Sequence, residues 1–196
     1  MNLANKITLA RVFLVPIVMV FLLIRSDFGA VTFYGMTISY AEIIATCLFI
    51  VAASTDVLDG YIARKRKLVT NFGKFMDPLA DKLLITAALV SLVERGSIEG
   101  WMAIVIIGRE FAVTGLRLVA AAEGQVIAAS KLAKLKTLTQ IIALVAVMLN
   151  NFPFALIGFP FDVLAMWVAV IMTILSGIDY FIRNWNVIQL KSSVQK

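Results

Sequence analysis

Six long apolar segments run along the chain, separated by short polar ones. The first extends from about Ile7 to Ile24, and the second extends from about Tyr40 to Thr55. A third continues to Val93, and Pro78 suits the first turn of its helix because proline lacks the N–H that this position leaves unused. Continuous apolar runs are typical of membrane helices, whereas the strands of a membrane barrel alternate. The pattern therefore predicts an all-α, polytopic membrane protein.

The second half of the chain contains the other three apolar segments. A fourth segment starts near Gly100, a fifth ends at Leu149, and a sixth extends from about Phe161 to Ile178. Several segments are shorter than the roughly 20 residues that a full crossing needs, unless their charged ends are helical too. We therefore expect six transmembrane helices whose polar residues line a cavity facing the cytoplasm.

The polar segments between the helices complete the expected layout. We expect a juxtamembrane lead-in over residues 1–11, an outer end of the second helix from Thr37 to Glu42, and a polar tail over 184–196. Turns are expected around Asn71 to Gly73 and from Asn150 to Pro160. The lysines at 131, 134 and 136 are expected to precede the fifth helix. A single domain over residues 1–196 follows from this layout.

The basic residues indicate the orientation. Of the 18 Lys and Arg, only Arg25 and Arg95 fall on the side of the loops after helices one, three and five. The positive-inside rule therefore predicts a multi-pass protein of the cytoplasmic membrane, with both termini in the cytoplasm.

Composition narrows the function. Hydrophobic residues make up 61% of the 196 residues, and the mean hydropathy is +0.95. The net charge of +6 is confined to particular loops, which favours anionic headgroups and phosphorylated substrates as partners and argues against nucleic acid. The chain has no histidine, so imidazole chemistry and histidine metal ligands are excluded. The single cysteine, Cys47, lies in an apolar run and excludes a disulfide within the chain.

Four carboxylates stand next to the apolar segments. Asp56 and Asp59 are three residues apart, and Asp77 and Asp81 are four apart, so each pair shares one helical face. Unpaired carboxylates at the edge of a membrane are costly, and four that converge repel one another. Carboxylate oxygens are the ligands that Mg²⁺ and Mn²⁺ prefer, usually together with substrate phosphates. The spacing therefore predicts a site for one or two divalent cations, where two could bridge a diphosphate.

Other residues of this stretch have small or cationic side chains. Gly60 and Ala63 allow a nucleotide or a neighbouring helix to approach closely, and Arg64 offers a planar fork for a phosphate or a base edge. Gly73 is expected to allow a turn that brings the second acid pair back toward the first. The complete pattern is Asp-x-x-Asp-Gly-x-x-Ala-Arg, eight residues, and Gly-x-x-x-Asp-x-x-x-Asp.

This pattern resembles the signature of the CDP-alcohol phosphatidyltransferases, a family of six-helix membrane enzymes that are often homodimers. The resemblance implies that Asp56, Asp59 and Asp77 are metal ligands, and that Asp81 is both a metal ligand and the general base. It also implies a CDP-diacylglycerol donor. The residues that it implies for donor binding are Asn5, Thr8, Gly60, Arg64, Thr70 and Gly73, although Ala4 stands where the family's proline is expected.

A second group of cations indicates the acceptor. Arg109 and Arg117 are eight residues apart, hence on roughly one helical face, and Lys134 and Lys136 follow. Such a cluster suits an alcohol that already carries a phosphate. These segments also resemble those of family members that use sn-glycerol 3-phosphate, with Ala133 in place of an expected glycine. Transfer of a phosphatidyl group to glycerol 3-phosphate is therefore the expected reaction, with CMP as the leaving group. We expect Lys131 only to orient the protein.

Three alternatives stay open at the level of sequence. The same chemistry could use inositol phosphate, serine or a second lipid as the acceptor. A membrane prenyltransferase also uses acidic motifs and Mg²⁺ on a diphosphate, although with other spacings and more helices. A cation transporter could use the four acids as its ion site, but the paired halves of many transporters are missing from the sequence.

Overall fold

The computed structural model describes most of the chain. Its described residues are 3–24, 29–33, 36–65, 71–122, 124–125, 127 and 130–185. Within the helices and strands, some side chains lie outside the described part, namely those of residues 3–5, 33, 36, 56–65, 71–78, 81 and 122.

Six α-helices and one small hairpin make up the described part of the chain. The helices are α1 (Leu3–Leu23), α2 (Tyr40–Lys65), α3 (Asn71–Glu94), α4 (Gly100–Ala122), α5 (Lys131–Met148) and α6 (Phe161–Arg183). The strands β1 (Ala30–Phe33) and β2 (Met36–Ser39) are antiparallel and pair Ala30 with Ser39. A short 3-10 helix (Phe154–Ile157) lies between α5 and α6. The expected all-α class is therefore confirmed for the described part of the chain, except for the hairpin.

The helices pack as one bundle. Helix α1 lies against both α2 and α3, α5 lies along α6, and α4 contacts α6 and α3. Alanines form much of the contact surface; Ala45, Ala52, Ala88, Ala143 and Ala169 are fully buried. Small side chains let helix backbones approach closely, which is the usual way in which helices associate within a membrane.

Helix α6 distributes its side chains in the manner of a membrane helix. Thr173 and Ser176 are completely buried, whereas Val168, Ile174 and Ile182 are exposed. A helix in water would show the opposite distribution, with polar side chains outside. The apolar outer face is thus suited to lipid, and the polar atoms lie inside the bundle.

Two described helices are long and apolar enough to cross a bilayer by themselves. They are α1, over Lys6–Leu23, and α6, over Phe161–Arg183. The apolar part of α2 whose side chains are described, Tyr40–Thr55, is shorter. Six crossings and a cavity that faces the cytoplasm therefore stay predictions.

The segment before α2 differs from the expectation. Residues 37–39 do not form the end of the second helix; they belong to β2, and α2 begins at Tyr40. Valine, threonine and isoleucine at 31, 32, 37 and 38 are β-branched and favour strands over helices. Gly29, with a φ of +79°, precedes the hairpin, and its carbonyl accepts a 3.1 Å hydrogen bond from the N–H of Tyr40.

Helix α3 also begins earlier than expected. It starts at Asn71, so Pro78 lies in its interior rather than in its first turn, and Gly73 is helical rather than part of a turn. An interior proline removes one backbone hydrogen bond, but helices in membranes tolerate it because neighbouring groups satisfy the freed carbonyl. The expected turn at Asn71 to Gly73 is therefore wrong.

Two further helix boundaries differ from the expectation. Lys131, Lys134 and Lys136 do not precede the fifth helix but lie within α5, which begins at Lys131. Ser130 caps this helix by accepting a 3.2 Å hydrogen bond from the N–H of Ala133. Asp179 and Arg183 lie within α6, where they form an ion pair of 2.6 Å. Helices continue through polar residues when i, i+4 pairs and caps satisfy them.

The expected turn between α5 and α6 is confirmed. Asn150 and Asn151 have φ values of 50° and 65°, a left-handed conformation that asparagine tolerates better than most residues. Asn151 donates a 2.7 Å hydrogen bond from its amide to the carbonyl of Phe159 and accepts one of 3.1 Å from the N–H of Asp162. We call the end of the bundle that holds this turn and the hairpin the hairpin end. The end to which α2 carries Asp56 and Asp59 is the motif end.

Candidate active site

The four acids lie on two consecutive helices. Asp56 and Asp59 lie one turn apart in the last third of α2, and Asp77 and Asp81 lie one turn apart in the first half of α3. Their side chains are outside the described residues, so their coordination of metal stays a prediction. A helical backbone at both pairs is what the shared-face argument requires.

The residues predicted to hold the nucleotide are distributed over three helices. Asn5 and Thr8 lie in α1, Gly60 and Arg64 lie in α2, and Gly73 lies in α3. Thr70 lies outside the described residues. Only Thr8 has a described side chain, which is 1% exposed. Its burial is compatible with a site inside the bundle.

Arg11, to which the sequence analysis gave no role, lies beside the first acid pair. Its side chain is 1% exposed, and its Nε and Nη2 donate hydrogen bonds of 3.3 and 3.4 Å to Oγ1 of Thr55. Thr55 directly precedes Asp56, so the arginine lies beside the beginning of the acid motif. The available signal was its spacing of three from Thr8, which puts both on one face of α1.

A side-chain contact joins α3, which carries the second acid pair, to α4. Lys82, next to Asp81 in the sequence, donates a hydrogen bond from Nζ to Oγ1 of Thr114. The Thr114 hydroxyl in turn donates a 2.7 Å hydrogen bond to the carbonyl of Glu110. Helix α3, at the residue that follows Asp81, is therefore in contact with the segment of α4 that carries predicted acceptor residues.

Glu110 connects two of the predicted acceptor residues. Lys136, which is 4% exposed, forms an ion pair with Oε1 of Glu110, and Nη1 of Arg109 lies 3.7 Å from the same oxygen. Nη2 of Arg109 donates a 2.5 Å hydrogen bond to Oγ of Ser176 on α6. One carboxylate thus attracts two cations that would otherwise only repel each other within the bundle.

Arg109 retains a donor beyond these contacts. Its Nε is buried and has no hydrogen-bond partner among the described residues. Gly177 on α6 lies against its side chain, since a Cβ at that position would lie 3.3 Å from Cγ of Arg109. A larger residue there would press against the stem of the Arg109 side chain.

The structure divides the four predicted acceptor residues into two pairs. Arg109 and Lys136 are held inside the bundle by Glu110, whereas Arg117 and Lys134 are exposed. Lys131, which we expect only to orient the protein in the membrane, is exposed as well. The four predicted acceptor residues are therefore an internal pair and an exposed pair rather than four equivalent cations.

These polar contacts lie at a common depth. At 1.5 Å per residue, Glu110 and Thr114 lie about 15 and 21 Å along α4 from its hairpin end. Lys82 and Lys136 lie about 18 Å from the hairpin ends of α3 and α5, and Ser176 lies about 22 Å from that of α6. We call this set of contacts the polar layer. Asp81 is adjacent to it in the sequence.

The comparisons with known proteins identify the family of the chain. Residues 1–175 match the family model described as CDP-alcohol phosphatidyltransferase. A relative from Bacillus subtilis (strain 168), named CDP-diacylglycerol–glycerol-3-phosphate 3-phosphatidyltransferase, is 55% identical over 188 residues, which are 96% of this chain and 97% of the relative.

Two more distant relatives carry the same name. The protein from Rickettsia typhi (strain ATCC VR-144 / Wilmington) is 35% identical over 181 residues, covering 92% of this chain and 95% of its own length. The protein from Mycoplasma genitalium (strain ATCC 33530 / DSM 19775 / NCTC 10195 / G37) is 34% identical over 149 residues, covering 74% of this chain and 63% of its own length.

The chain belongs to the CDP-alcohol phosphatidyltransferase family, a family of membrane enzymes. The expected resemblance is thereby confirmed. Membership in this family favours an enzyme over the cation transporter and over the prenyltransferase.

The pairing of Glu110 with Lys136 is expected to stabilise the bundle. In either single variant, Lys136→Met or Glu110→Gln, we expect the free energy of unfolding to fall by about 3 kcal/mol, because a buried charge loses its partner. In the double variant the fall should be smaller than the sum of the two. Denaturation in detergent measures all three, and strictly additive losses would contradict the pairing.

Proposed function

We propose that this chain transfers the phosphatidyl group of CDP-diacylglycerol to sn-glycerol 3-phosphate, giving phosphatidylglycerol phosphate and CMP. The observation that carries the proposal is the name shared by relatives that cover nearly the whole chain at up to 55% identity. The acid motif of α2 and α3 and the adjoining polar layer supply groups that suit the donor and the acceptor of this reaction.

The acid pairs suit a divalent cation. Asp56, Asp59, Asp77 and Asp81 would hold Mg²⁺ or Mn²⁺, and two ions fit the number of carboxylates. The backbone supports this, since both pairs lie on helices that contact each other. When bound, the metal supplies charge neutralisation at the diphosphate of the donor.

Asp81 is proposed as the general base. Its carboxylate takes the proton from the hydroxyl of glycerol 3-phosphate, and the hydroxyl oxygen forms a bond to the lipid-side phosphorus of CDP-diacylglycerol. The bond from this phosphorus to the bridging oxygen breaks, and CMP leaves with the electron pair. Lys82, beside Asp81, contacts Thr114 and thereby connects the base to the acceptor segment.

The cytidine diphosphate would be held by side chains of α1, α2 and the segment that follows. Gly60 leaves room for the nucleotide, and Arg64 and Thr70 would contact its phosphates or base. Asn5 and Thr8 would close the site from α1, and Gly73 would allow close approach from α3. Arg11 fits the same region, because its guanidinium lies beside Thr55 at the start of the motif.

The acceptor phosphate suits the cations of α4 and α5. Arg117 and Lys134 are exposed and accessible to a soluble dianion. Nε of Arg109, which has no partner among the described residues, offers a donor from inside the bundle. Lys136 is bound to Glu110 and would act by keeping that carboxylate away from the phosphate. A phosphorylated alcohol gains charge-assisted hydrogen bonds here that a neutral alcohol lacks.

We further propose that all six helices cross the cytoplasmic membrane and that the motif end faces the cytoplasm. The asymmetry of the basic residues supports this orientation. Arg95, one of the two exceptions to it, forms an ion pair with Glu42, which lowers the cost of its position. A homodimer is proposed from the family resemblance alone.

The acceptor is tested by measuring CMP release. With purified protein, Mg²⁺ and CDP-diacylglycerol, we expect release with glycerol 3-phosphate and none with inositol phosphate or serine. Chelation of the metal should abolish it, because the diphosphate would lose its counter-charge. Release with a different alcohol would support the chemistry and overturn the proposed acceptor. If none of the alcohols supported CMP release, the proposed reaction would be overturned.

The proposed contact of exposed Lys134 with the acceptor phosphate is tested by substituting two neighbouring lysines. In Lys134→Ala we expect the KM for glycerol 3-phosphate to rise about tenfold, since one charge-assisted contact to the phosphate is lost. The KM for CDP-diacylglycerol should not change. Lys131→Ala removes the same charge one helical turn away and should leave both constants unaltered. Equal effects of the two substitutions would show a general electrostatic effect instead of a phosphate contact.

A further inference from the structure

A buried ion pair at the hairpin end joins the two helices that carry the acids. Glu42 lies in the first turn of α2, is 7% exposed, and forms an ion pair through Oε1 with Arg95, the residue that follows α3. Its other oxygen, Oε2, accepts hydrogen bonds of 2.9 Å from the N–H of Ser39 and from Nδ2 of Asn150. This carboxylate therefore holds β2, α2, α3 and the α5–α6 turn together.

The pair lies at equal distances from the two acid pairs. Asp56 follows Glu42 by 14 residues on α2, and Asp81 precedes Arg95 by the same 14 residues along α3. Each of these acids is thus about 21 Å from the ion pair along its own helix. Asp59 and Asp77 lie about 26 and 27 Å away.

Helices α2 and α3 are antiparallel, because the start of α2 contacts the end of α3. Equal spacing along antiparallel helices puts Asp56 at the height of Asp81, and it puts Asp59 within about 1.5 Å of the height of Asp77. A slip of α3 by one residue would displace its acids by about 1.5 Å. Metal sites tolerate deviations of only about 0.2 Å in ligand distance, and Mg²⁺ demands nearly ideal geometry.

We propose that Glu42 and Arg95 are positioning residues that set the axial register of α2 against α3 and thereby match the heights of the two acid pairs. The proposal rests on the divalent-cation site of the proposed function. The described polar contacts of the polar layer join other helices: Lys82 joins α3 to α4, and Glu110 joins α4 to α5. The ion pair of Glu42 with Arg95 connects the start of α2 directly to the residue that follows α3.

Binding of Mn²⁺ to the purified protein tests the proposal without any substrate. In Arg95→Met, which keeps the apolar stem and removes the charge, we expect the Kd for Mn²⁺ to rise at least tenfold. Arg95→Lys keeps the charge and should restore most of the affinity. Glu94→Gln removes a charge from the neighbouring residue and should bind as the wild type does. The midpoint of thermal unfolding is measured for each variant.

The outcomes separate positioning from simple stabilisation. A lower unfolding midpoint in Arg95→Met with unchanged Mn²⁺ affinity would overturn the proposal, and so would a wild-type protein that binds no Mn²⁺. If Arg95→Met does not fold, Glu42→Gln serves instead, because its amide oxygen still accepts from Ser39. Weakened Mn²⁺ binding together with a wild type that releases no CMP would support the register and reject the proposed reaction.

Discussion

Glu110 holds two cations inside the bundle, and the arrangement of the polar layer depends on this pairing. Lys136 and Arg109 come from different helices and meet at one carboxylate oxygen. In a medium of low dielectric constant, neither cation would stay buried without a partner. The ion pairs therefore fix the relative positions of α4 and α5, and the contact from Arg109 to Ser176 adds α6.

The need of buried polar groups for partners also explains how side chains are distributed in the rest of the bundle. Polar side chains such as Gln140 and Thr173, joined by a 3.0 Å hydrogen bond, lie inside, and large apolar side chains cover the outside. Alanines at the contacts let the helices come close enough for these bonds to form. A membrane enzyme for a lipid donor and a soluble acceptor needs this combination, because its outer surface contacts lipid while its interior must hold charged groups.

Much of this could be predicted from the sequence, because periodicity and spacing are local properties. The start of α2 at Tyr40, the end of α3 at Glu94 and the start of α4 at Gly100 follow from hydrophobic runs and breaking residues. The acid motif is recognised from fixed spacings alone. Pro78 and Gly73 misled the prediction of α3, since both residues are typical of helix ends in soluble proteins but are tolerated within membrane helices.

The contacts between distant residues could not be predicted. Arg11 and Thr55 are 44 residues apart, and Glu42 and Arg95 are 53 apart, so no repeating pattern connects them. From the sequence, Arg11 and Arg95 were only charges near the ends of apolar segments. In the structure each arginine binds a side chain of α2. Arg11 binds Thr55 beside the acid motif, and Arg95 binds Glu42 at the opposite end of α2.

The rate of CMP release by Asp81→Asn under saturating substrates and Mg²⁺ tests the central claim most directly. The account predicts that kcat falls by about 100-fold or more, because the hydroxyl loses its general base. Asp162→Asn, at the hairpin end of α6, should keep wild-type turnover. Near-normal turnover by Asp81→Asn would contradict the assignment of the acid motif as the catalytic centre.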